Sequence, residues 1–157
     1  MNKIASFTVN HLDLLAGVYV SRKDYQGDVV LTTFDLRFTR PNVEAPMDTA
    51  GIHSIEHLMA TFLRNNKEWA DKTIYFGPMG CQTGFYLLVR DMDAKDVFEL
   101  TKKILKQTIE HDGDVFGKSA IECGHYENLD IELAKEECRT YLEVLENQTN
   151  MEFTYPQ

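Results

Sequence analysis

The hydrophobic and polar positions of this 157-residue chain follow two patterns, one typical of strands and one typical of helices. Residues 14–23 and 28–38 are predicted to form two strands around a turn at 25–28, because apolar and polar side chains alternate along the second segment. One face of that segment carries Val30, Thr32, Phe34, Leu36 and Phe38, and the other carries Leu31, Thr33, Asp35 and Arg37. Arg37 is therefore expected opposite the more apolar face.

Three further segments have the periodicity of helices. The first is predicted over residues 52–64, where apolar residues recur at spacings of three and four, at Ile52, Ile55, Met59 and Phe62. Asp48 and Thr49 are its candidate caps. Two more helices are predicted over 94–111 and 130–145, the first of them ended by an Asp-Gly pair.

A second pair of strands is predicted over 72–76 and 84–90, joined by a segment with Gly and Pro on either side of Met79. Tight hairpins outnumber crossover connections, so an α+β fold is expected, with an antiparallel β-sheet packed against helices. No linker or repeat divides the chain, and residues 1–157 are expected to form a single domain. The polar tail from Asn147 onward is expected to fray.

Composition narrows the range of functions. Sixteen basic and 25 acidic side chains leave a net charge of −9, which argues against nucleic acid or anionic lipid as partner and favours a small-molecule substrate. The longest apolar run, Leu14–Val20, is far shorter than the roughly 20 residues of a membrane-spanning helix. The N-terminus lacks a signal-peptide core, and three cysteines make no disulfide framework. A location in the reducing cytoplasm is therefore predicted.

The strongest local motif is His53-Ser54-Ile55-Glu56-His57, an H-x-x-E-H sequence on the predicted first helix. Two histidines four residues apart share a helix face, so both imidazoles can reach one cation. Glu56 lies beside them, where it could move a proton next to the metal without binding it. The pair faces away from the apolar stripe, which favours a metal site over two exposed surface histidines. The inverted zinc-peptidase motif has the same arrangement.

Two residues compete to be the third protein ligand of a catalytic metal. Glu132 would suit a metallopeptidase, but it also begins the last helix, where an acidic residue complements the helix dipole. Cys123 lies in an irregular, glycine-flanked segment and would complete a His2Cys site for a softer ion such as zinc or ferrous iron. Cys123 is favoured, with Glu122 and His125 as weaker contenders. A non-enzymatic metal-binding or dimerisation module remains a third interpretation.

The other two thiols differ in their surroundings. Cys138 falls in step with Ala134, Tyr141 and Leu145 on the last helix, which predicts a packed core residue. Cys81 lies next to Gly80 in the connection between two strands, where a thiol is accessible and could be reactive. An inert turn cysteine fits that spacing equally well.

Four separated motifs, in order, closely resemble the S-ribosylhomocysteine lyase (LuxS) family. They are FDLRF at 34–38, HSIEHL at 53–58, GPMGCQTGFYL at 77–87 and ECG at 122–124. The resemblance extends over about residues 4–145. Two positions depart from it: Ser54 stands where the family usually has Thr, and Tyr75 where some members have Asp.

The resemblance implies a homodimer whose active sites lie at the subunit interface. One divalent metal per subunit would be held by His53, His57 and Cys123, with Fe2+ expected in the cell and Zn2+ or Co2+ able to replace it. The substrate would be S-ribosylhomocysteine. The products would be homocysteine and 4,5-dihydroxy-2,3-pentanedione, the autoinducer-2 precursor, in the activated methyl cycle of bacteria.

The chemistry implied by this resemblance moves the substrate carbonyl from C1 to C3, which makes the C4 proton acidic enough for β-elimination of the thiolate. The resemblance assigns proton transfer at C1 and C2 to Cys81, and nearer C3 and C4 to Glu56. Both would act as catalytic acid and base in turn.

Four residues are expected to bind substrate. Ser6 and His11 match family positions near the bound sugar, and Arg37 is the preferred partner for an anionic group. Arg64 returns to the helix face of His53 but lies about 16 Å along the axis. From there it could reach the homocysteine carboxylate across a dimer interface.

Overall fold

The computed structural model describes all 157 residues, Met1–Gln157, as a single α+β domain with a four-stranded antiparallel sheet and three helices. The strands are β1 (Gly17–Gln26), β2 (Val29–Arg37), β3 (Thr73–Pro78) and β4 (Gly84–Arg90). The helices are α1 (Thr49–Arg64), α2 (Ala94–Glu110) and α3 (Ile131–Glu146), and short 3-10 turns lie at Ala5–Phe7, Ala70–Lys72 and Tyr126–Asn128. The predicted fold class is confirmed. None of the helices combines the length and apolar character needed to cross a bilayer.

The sheet has the order β1-β2-β4-β3, so β2 pairs with a strand on each side. The β1–β2 connection is tighter than predicted, because only Gly27 and Asp28 lie outside the strands and Gly27 takes the left-handed conformation with φ +61°. At the other end of β2, Arg37 pairs with Gly17 of β1 and with Gly84 of β4. The end of the central strand therefore lies beside the connection between β3 and β4.

The helices pack on one face of the sheet and enclose the core. Helix α1 begins at Thr49, three residues earlier than its predicted start, because Asp48 caps it by accepting a hydrogen bond from the Ala50 amide at 2.8 Å. Phe38, directly after β2, stacks on Tyr141 of α3, with ring centroids 3.9 Å apart. Cys138 is fully buried in this core, as predicted.

The prediction that the tail frays from Asn147 onward is wrong. Phe153 is 2% exposed and packs against Phe98 of α2, with ring centroids 5.5 Å apart. Its carbonyl oxygen also accepts a hydrogen bond from the Val20 amide of β1 at 2.8 Å. A single buried aromatic residue in a polar segment leaves no periodic signal, yet the burial of Phe153 and a backbone hydrogen bond fix the tail against the sheet.

Candidate metal centre and substrate cleft

Three predicted ligands converge between α1 and the segment that joins α2 to α3. His53 and His57 lie one turn apart on α1, and Cys123 comes from the connecting segment. Their potential ligand atoms all lie within 4.8 Å of one another, and the Cys123 Sγ atom is 3.3 Å from His53 Nε2. Zinc–nitrogen and zinc–sulfur bonds measure about 2.0–2.3 Å, and three ligand atoms this close together could hold one ion.

The outer nitrogens of both imidazoles are bound to oxygen acceptors. His53 Nδ1 donates to the Asn128 side-chain oxygen at 2.5 Å, and His57 Nδ1 donates to the Phe116 carbonyl at 2.7 Å. Each ring is thereby held in the tautomer that leaves the Nε2 lone pair free. Two imidazoles with fixed Nδ1 partners, together with a thiol, make a donor set that fits a divalent metal ion.

Gly117 allows the backbone to approach His57 closely. Its φ is +72°, and a Cβ atom at this position would lie 3.2 Å from His57 Nδ1. An L-residue disfavours that conformation, and a side chain would press on the imidazole at the atom that donates to Phe116. Glycine at this position therefore lets the Phe116 carbonyl reach the histidine ring.

The structure also separates Cys123 from the other contenders for the third ligand position. The Glu122 carboxylate accepts a hydrogen bond from Ser119 at 2.5 Å, and His125 is exposed. Glu132 lies in the first turn of α3, and it is not among the residues whose ligand atoms converge. The Cys123 thiol, in contrast, receives a hydrogen bond from the His125 amide at 3.4 Å, which holds it in place. Glu56 is half-buried on α1 between the two histidines.

A separate cleft of about 410 Å³ lies near the end of β2, on the opposite side of the sheet from the helices. This volume falls in the range of small-molecule sites, about 300–1,000 Å³. The cleft brings together four residues that the sequence singled out: Ser6, His11, Arg37 and Cys81. Ser6 and Cys81 are exposed, and the His11 Nδ1 atom lies 2.9 Å from the Val9 carbonyl oxygen. The predicted accessibility of Cys81 is confirmed.

Arg37 is buried in the wall of this cleft and held from two sides. Its Nε and Nη2 atoms donate to the two carboxylate oxygens of Asp35 at 3.1 and 2.6 Å, and Nη1 donates to the Thr83 hydroxyl at 2.8 Å. The same Nη1 atom is 3.7 Å from the Cys81 sulfur. Burial opposes the charge of Arg37, but the Asp35 carboxylate outweighs it, so the pKa of Arg37 lies above its ordinary value.

Three residues around Arg37 were not singled out as site residues from the sequence. Thr83 and Asp35 bind Arg37 directly, and Tyr155 donates from its hydroxyl to Asp35 at 2.7 Å. The alternation of β2 did place Asp35 on the same face as Arg37, and that pairing is a usable signal. No local pattern connects Tyr155 with a strand 120 residues earlier.

Arg64 lies apart from the other predicted substrate-binding residues. It is exposed at the last turn of α1 and donates to the Ile74 carbonyl of β3 at 2.8 Å. It does not line the cleft. Its substrate contact stays a prediction.

The cleft and the three potential metal ligands lie in different parts of the chain. The residues that line the cleft include none of the three potential ligands, and they do not include Glu56. One part offers a buried arginine, ion-paired with Asp35, and an accessible thiol. The other offers three converging potential metal ligands, with Glu56 on the same helix as two of them.

These features define a small α+β protein with a potential three-ligand metal site and a cleft of substrate size. The family model described as S-Ribosylhomocysteinase (LuxS) matches residues 4–152. The chain belongs to this family.

Several proteins named S-ribosylhomocysteine lyase are similar to this chain over its whole length. The one from Clostridium beijerinckii is 54% identical over 99% of both chains. The one from Finegoldia magna is 51% identical over the full length of both, and the one from Borreliella burgdorferi is 43% identical over 99% of this chain and all of its own.

Proposed function

We propose how this chain acts as an S-ribosylhomocysteine lyase, a carbon–sulfur lyase that releases homocysteine and 4,5-dihydroxy-2,3-pentanedione, the autoinducer-2 precursor. The proposal rests on one observation: the chain carries both a group of three potential metal ligands and a separate cleft of substrate size. Residues 1–157 act as one lyase domain. The free thiols suit a reducing compartment such as the cytoplasm.

The reaction has to activate a bond that is not reactive in the substrate. The carbon–sulfur bond at C5 of the ribose breaks only after the carbonyl has moved from C1 through C2 to C3, because only then is the C4 proton acidic. Removal of that proton then expels the homocysteine sulfur as a thiolate. When bound, a divalent ion supplies Lewis-acid stabilisation of the negative charge that develops on the sugar oxygens.

Two side chains move the protons. The Cys81 Sγ atom is accessible in the cleft and lies 3.0 Å from the Thr83 hydroxyl, and it takes and returns the proton exchanged between C1 and C2. Glu56 stands between the two histidines in the sequence of α1, and its carboxylate moves the protons at C3 and C4. Each group acts first as a base and then as an acid, as successive carbonyl shifts require.

The cleft residues bind and orient the substrate. Arg37 presents a fixed guanidinium to an anionic or hydroxyl-rich ligand. Ser6 and His11 line the same cleft and are placed to hydrogen-bond the sugar hydroxyls. The substrate is a free small molecule, in keeping with the net charge of −9, and neither nucleic acid nor membrane takes part. Arg64 serves the homocysteine carboxylate from a neighbouring subunit.

His53, His57 and Cys123 are the metal ligands, with one divalent ion per subunit. Two imidazoles and a thiolate suit a borderline-soft ion, and we propose Fe2+ as the ion used, with Zn2+ or Co2+ as functional substitutes. With three protein ligands, a bound ion would keep a coordination position open for the substrate.

The complete active site forms between two copies of the chain in a homodimer. Two observations support this. First, neither the three potential metal ligands nor Glu56 lines the cleft. Second, the segment beside the cleft exposes large apolar side chains, with Ile4 58%, Phe7 70% and Leu12 74% exposed. Apolar side chains at this density mark a surface that another protein covers. In a symmetric dimer, the cleft of each subunit would face the metal ligands of the other, so that two complete sites form.

The first test is release of homocysteine from S-ribosylhomocysteine by the metal-loaded protein, followed with a thiol reagent. No release would remove the assignment. The shared site is tested by mixing two inactive variants, Cys81→Ala and His57→Ala, and exchanging their subunits. If each site takes its cleft from one subunit and its metal from the other, random pairing restores about a quarter of wild-type activity.

A matched control uses Cys81→Ala mixed with Arg37→Ala. Both changes lie in the cleft, so every site in the mixed dimer keeps one defect and activity stays at the level of the separate variants. If the Cys81→Ala and His57→Ala mixture also stays inactive, the shared site is wrong and one chain holds the whole site.

A further inference from the structure

The tail after α3 is built into the wall of the substrate cleft. Phe153 anchors it in the core, and the Phe153 backbone has the left-handed value φ +58°. A bulky residue rarely adopts that conformation, and it persists only where the surroundings enforce it. Two residues later, Tyr155 lines the cleft and stacks on Tyr19 of β1, with ring centroids 5.3 Å apart and planes 19° apart.

Tyr155 completes the set of donors around a buried carboxylate. Asp35 has no exposed surface and accepts three hydrogen bonds: two from Arg37 and one, at 2.7 Å, from the Tyr155 hydroxyl. Burial and the neighbouring Asp35 carboxylate raise the pKa of Tyr155, so its hydroxyl keeps its proton and donates. The Asp35 Oδ2 atom is the shared acceptor of Tyr155 and of Arg37 Nη2.

The result is a fixed chain of contacts from the C-terminal tail to the cleft. Tyr155 orients Asp35, Asp35 accepts from the Nε and Nη2 atoms of the Arg37 guanidinium, and Thr83 accepts from its Nη1 atom. A buried ion pair adds little net stability, because the cost of desolvation offsets the attraction between the charges. The ion pair instead fixes geometry, since a bidentate carboxylate holds the plane of the guanidinium.

We propose that Tyr155 and Asp35 are positioning residues of this lyase, which hold the Arg37 guanidinium in the orientation that binds substrate. The inference rests on the proposed function, in which Arg37 is a substrate-binding residue. Neither Tyr155 nor Asp35 touches the substrate in this role. Loss of the Tyr155 hydroxyl leaves Asp35 with one donor fewer, and the ion pair and the guanidinium then sample other orientations.

The test variant is Tyr155→Phe, which removes one oxygen atom and keeps the ring that stacks on Tyr19. Its matched control is Tyr141→Phe. The Tyr141 hydroxyl is also buried and donates at 2.7 Å, but to the Gly17 carbonyl and outside the cleft lining. Both variants lose one tyrosine hydroxyl hydrogen bond, so a merely structural effect lowers the melting temperature of both and changes KM in neither.

For Tyr155→Phe we expect KM for S-ribosylhomocysteine to rise about tenfold with kcat within about twofold, the pattern of lost uniform binding. Metal content should equal that of the wild type. Tyr141→Phe should keep the wild-type KM. An unchanged KM in Tyr155→Phe, or an equal rise in Tyr141→Phe, would overturn the inference. Absence of homocysteine release from the wild type would instead overturn the proposed function, and this inference with it.

A second comparison tests whether Tyr155 acts through Arg37. In an Arg37→Lys background the bidentate contact with Asp35 is already lost, so adding Tyr155→Phe should raise KM by less than about twofold. A full tenfold rise in that background would mean that Tyr155 acts on the substrate by another route, and the positioning role would be wrong. Asp35→Asn should raise KM in the same direction as Tyr155→Phe.

Discussion

The Nδ1 atom of His53 donates to the Asn128 side chain at 2.5 Å and thereby ties α1 to the 3-10 turn that precedes α3. A second bond crosses the same boundary, because the Asp130 amide donates to the Ser54 hydroxyl at 2.7 Å. The proposed metal ligand His53 is thus oriented from outside its own helix, and the two elements cannot shift independently without breaking these bonds. Outer partners of this kind control metal affinity as well as ligand geometry.

Replacing Asn128 should weaken the metal site while leaving the three ligands in place. For Asn128→Ala we expect metal affinity to fall by about 10–100-fold, because the His53 ring is no longer held in one tautomer and orientation. Competition with a chelator of known affinity measures this. Glu127→Ala, at the exposed neighbouring position, is the control and should bind metal as the wild type does. Equal affinities in the two variants would contradict the role given to Asn128.

Gly117→Ala should damage the same site by a different cause. The left-handed backbone costs an L-residue about 1–2 kcal/mol, and the added Cβ would lie 3.2 Å from His57 Nδ1. We expect a lower melting temperature together with weaker metal binding. Gly113→Ala shares a positive φ but faces His111, so it should lower stability and leave metal affinity unchanged. If both variants bind metal normally, the close approach to His57 has no role in the site.

The choice of third ligand leads to a direct comparison. Cys123→Ala should lose the bound ion, because the thiol is the only non-histidine donor in the converging group. Glu132→Gln should keep it, since Glu132 lies in the first turn of α3 and only complements the helix dipole there. Metal content after gel filtration, measured for both proteins, decides the matter. Loss of metal in Glu132→Gln alone would favour the metallopeptidase interpretation.

Variants of the two proposed proton-transfer residues should separate metal binding from turnover. Cys81→Ala and Glu56→Gln are each expected to retain one ion per subunit and to release homocysteine at least about 100-fold more slowly, since each removes an acid–base group. Steady-state rates and metal content should be measured on the same preparations. Near-normal turnover in either variant would exclude that side chain from the proposed proton transfers.

Stability should fall at alkaline pH because of two core residues. Burial raises the pKa of the Cys138 thiol and of the Tyr141 hydroxyl above their ordinary values. The folded chain therefore holds these protons more tightly, and the stabilisation is complete below the unfolded pKa values of about 8.5 and about 10. It is lost as pH rises through those values towards the folded ones.

Guanidinium denaturation at several pH values between about 7 and about 10.5 measures this loss. The double variant Cys138→Ala/Tyr141→Phe should be less stable at neutral pH and should show a flatter decline. A wild-type unfolding free energy that stays constant over this range would contradict the argument.

Local sequence patterns determined which nearby residues share a helix face or a strand face in this protein. The 3.6-residue period placed His53, Glu56 and His57 together on α1, because neighbours on a helix surface follow from backbone geometry alone. Strand alternation put Arg37 and Asp35 on one face, and helical spacing put Cys138 in the core. These relationships join residues only a few positions apart, and the chain's covalent geometry fixes them.

Tertiary structure decided the relationships that span long stretches of chain. The sequence favoured Cys123 over Glu132, but only the fold brought its sulfur to His53, 70 residues away. It also brought Tyr155 to Asp35 and folded a tail that composition alone described as polar. Such contacts depend on how apolar faces pack against one another, and no periodicity along the chain encodes that packing.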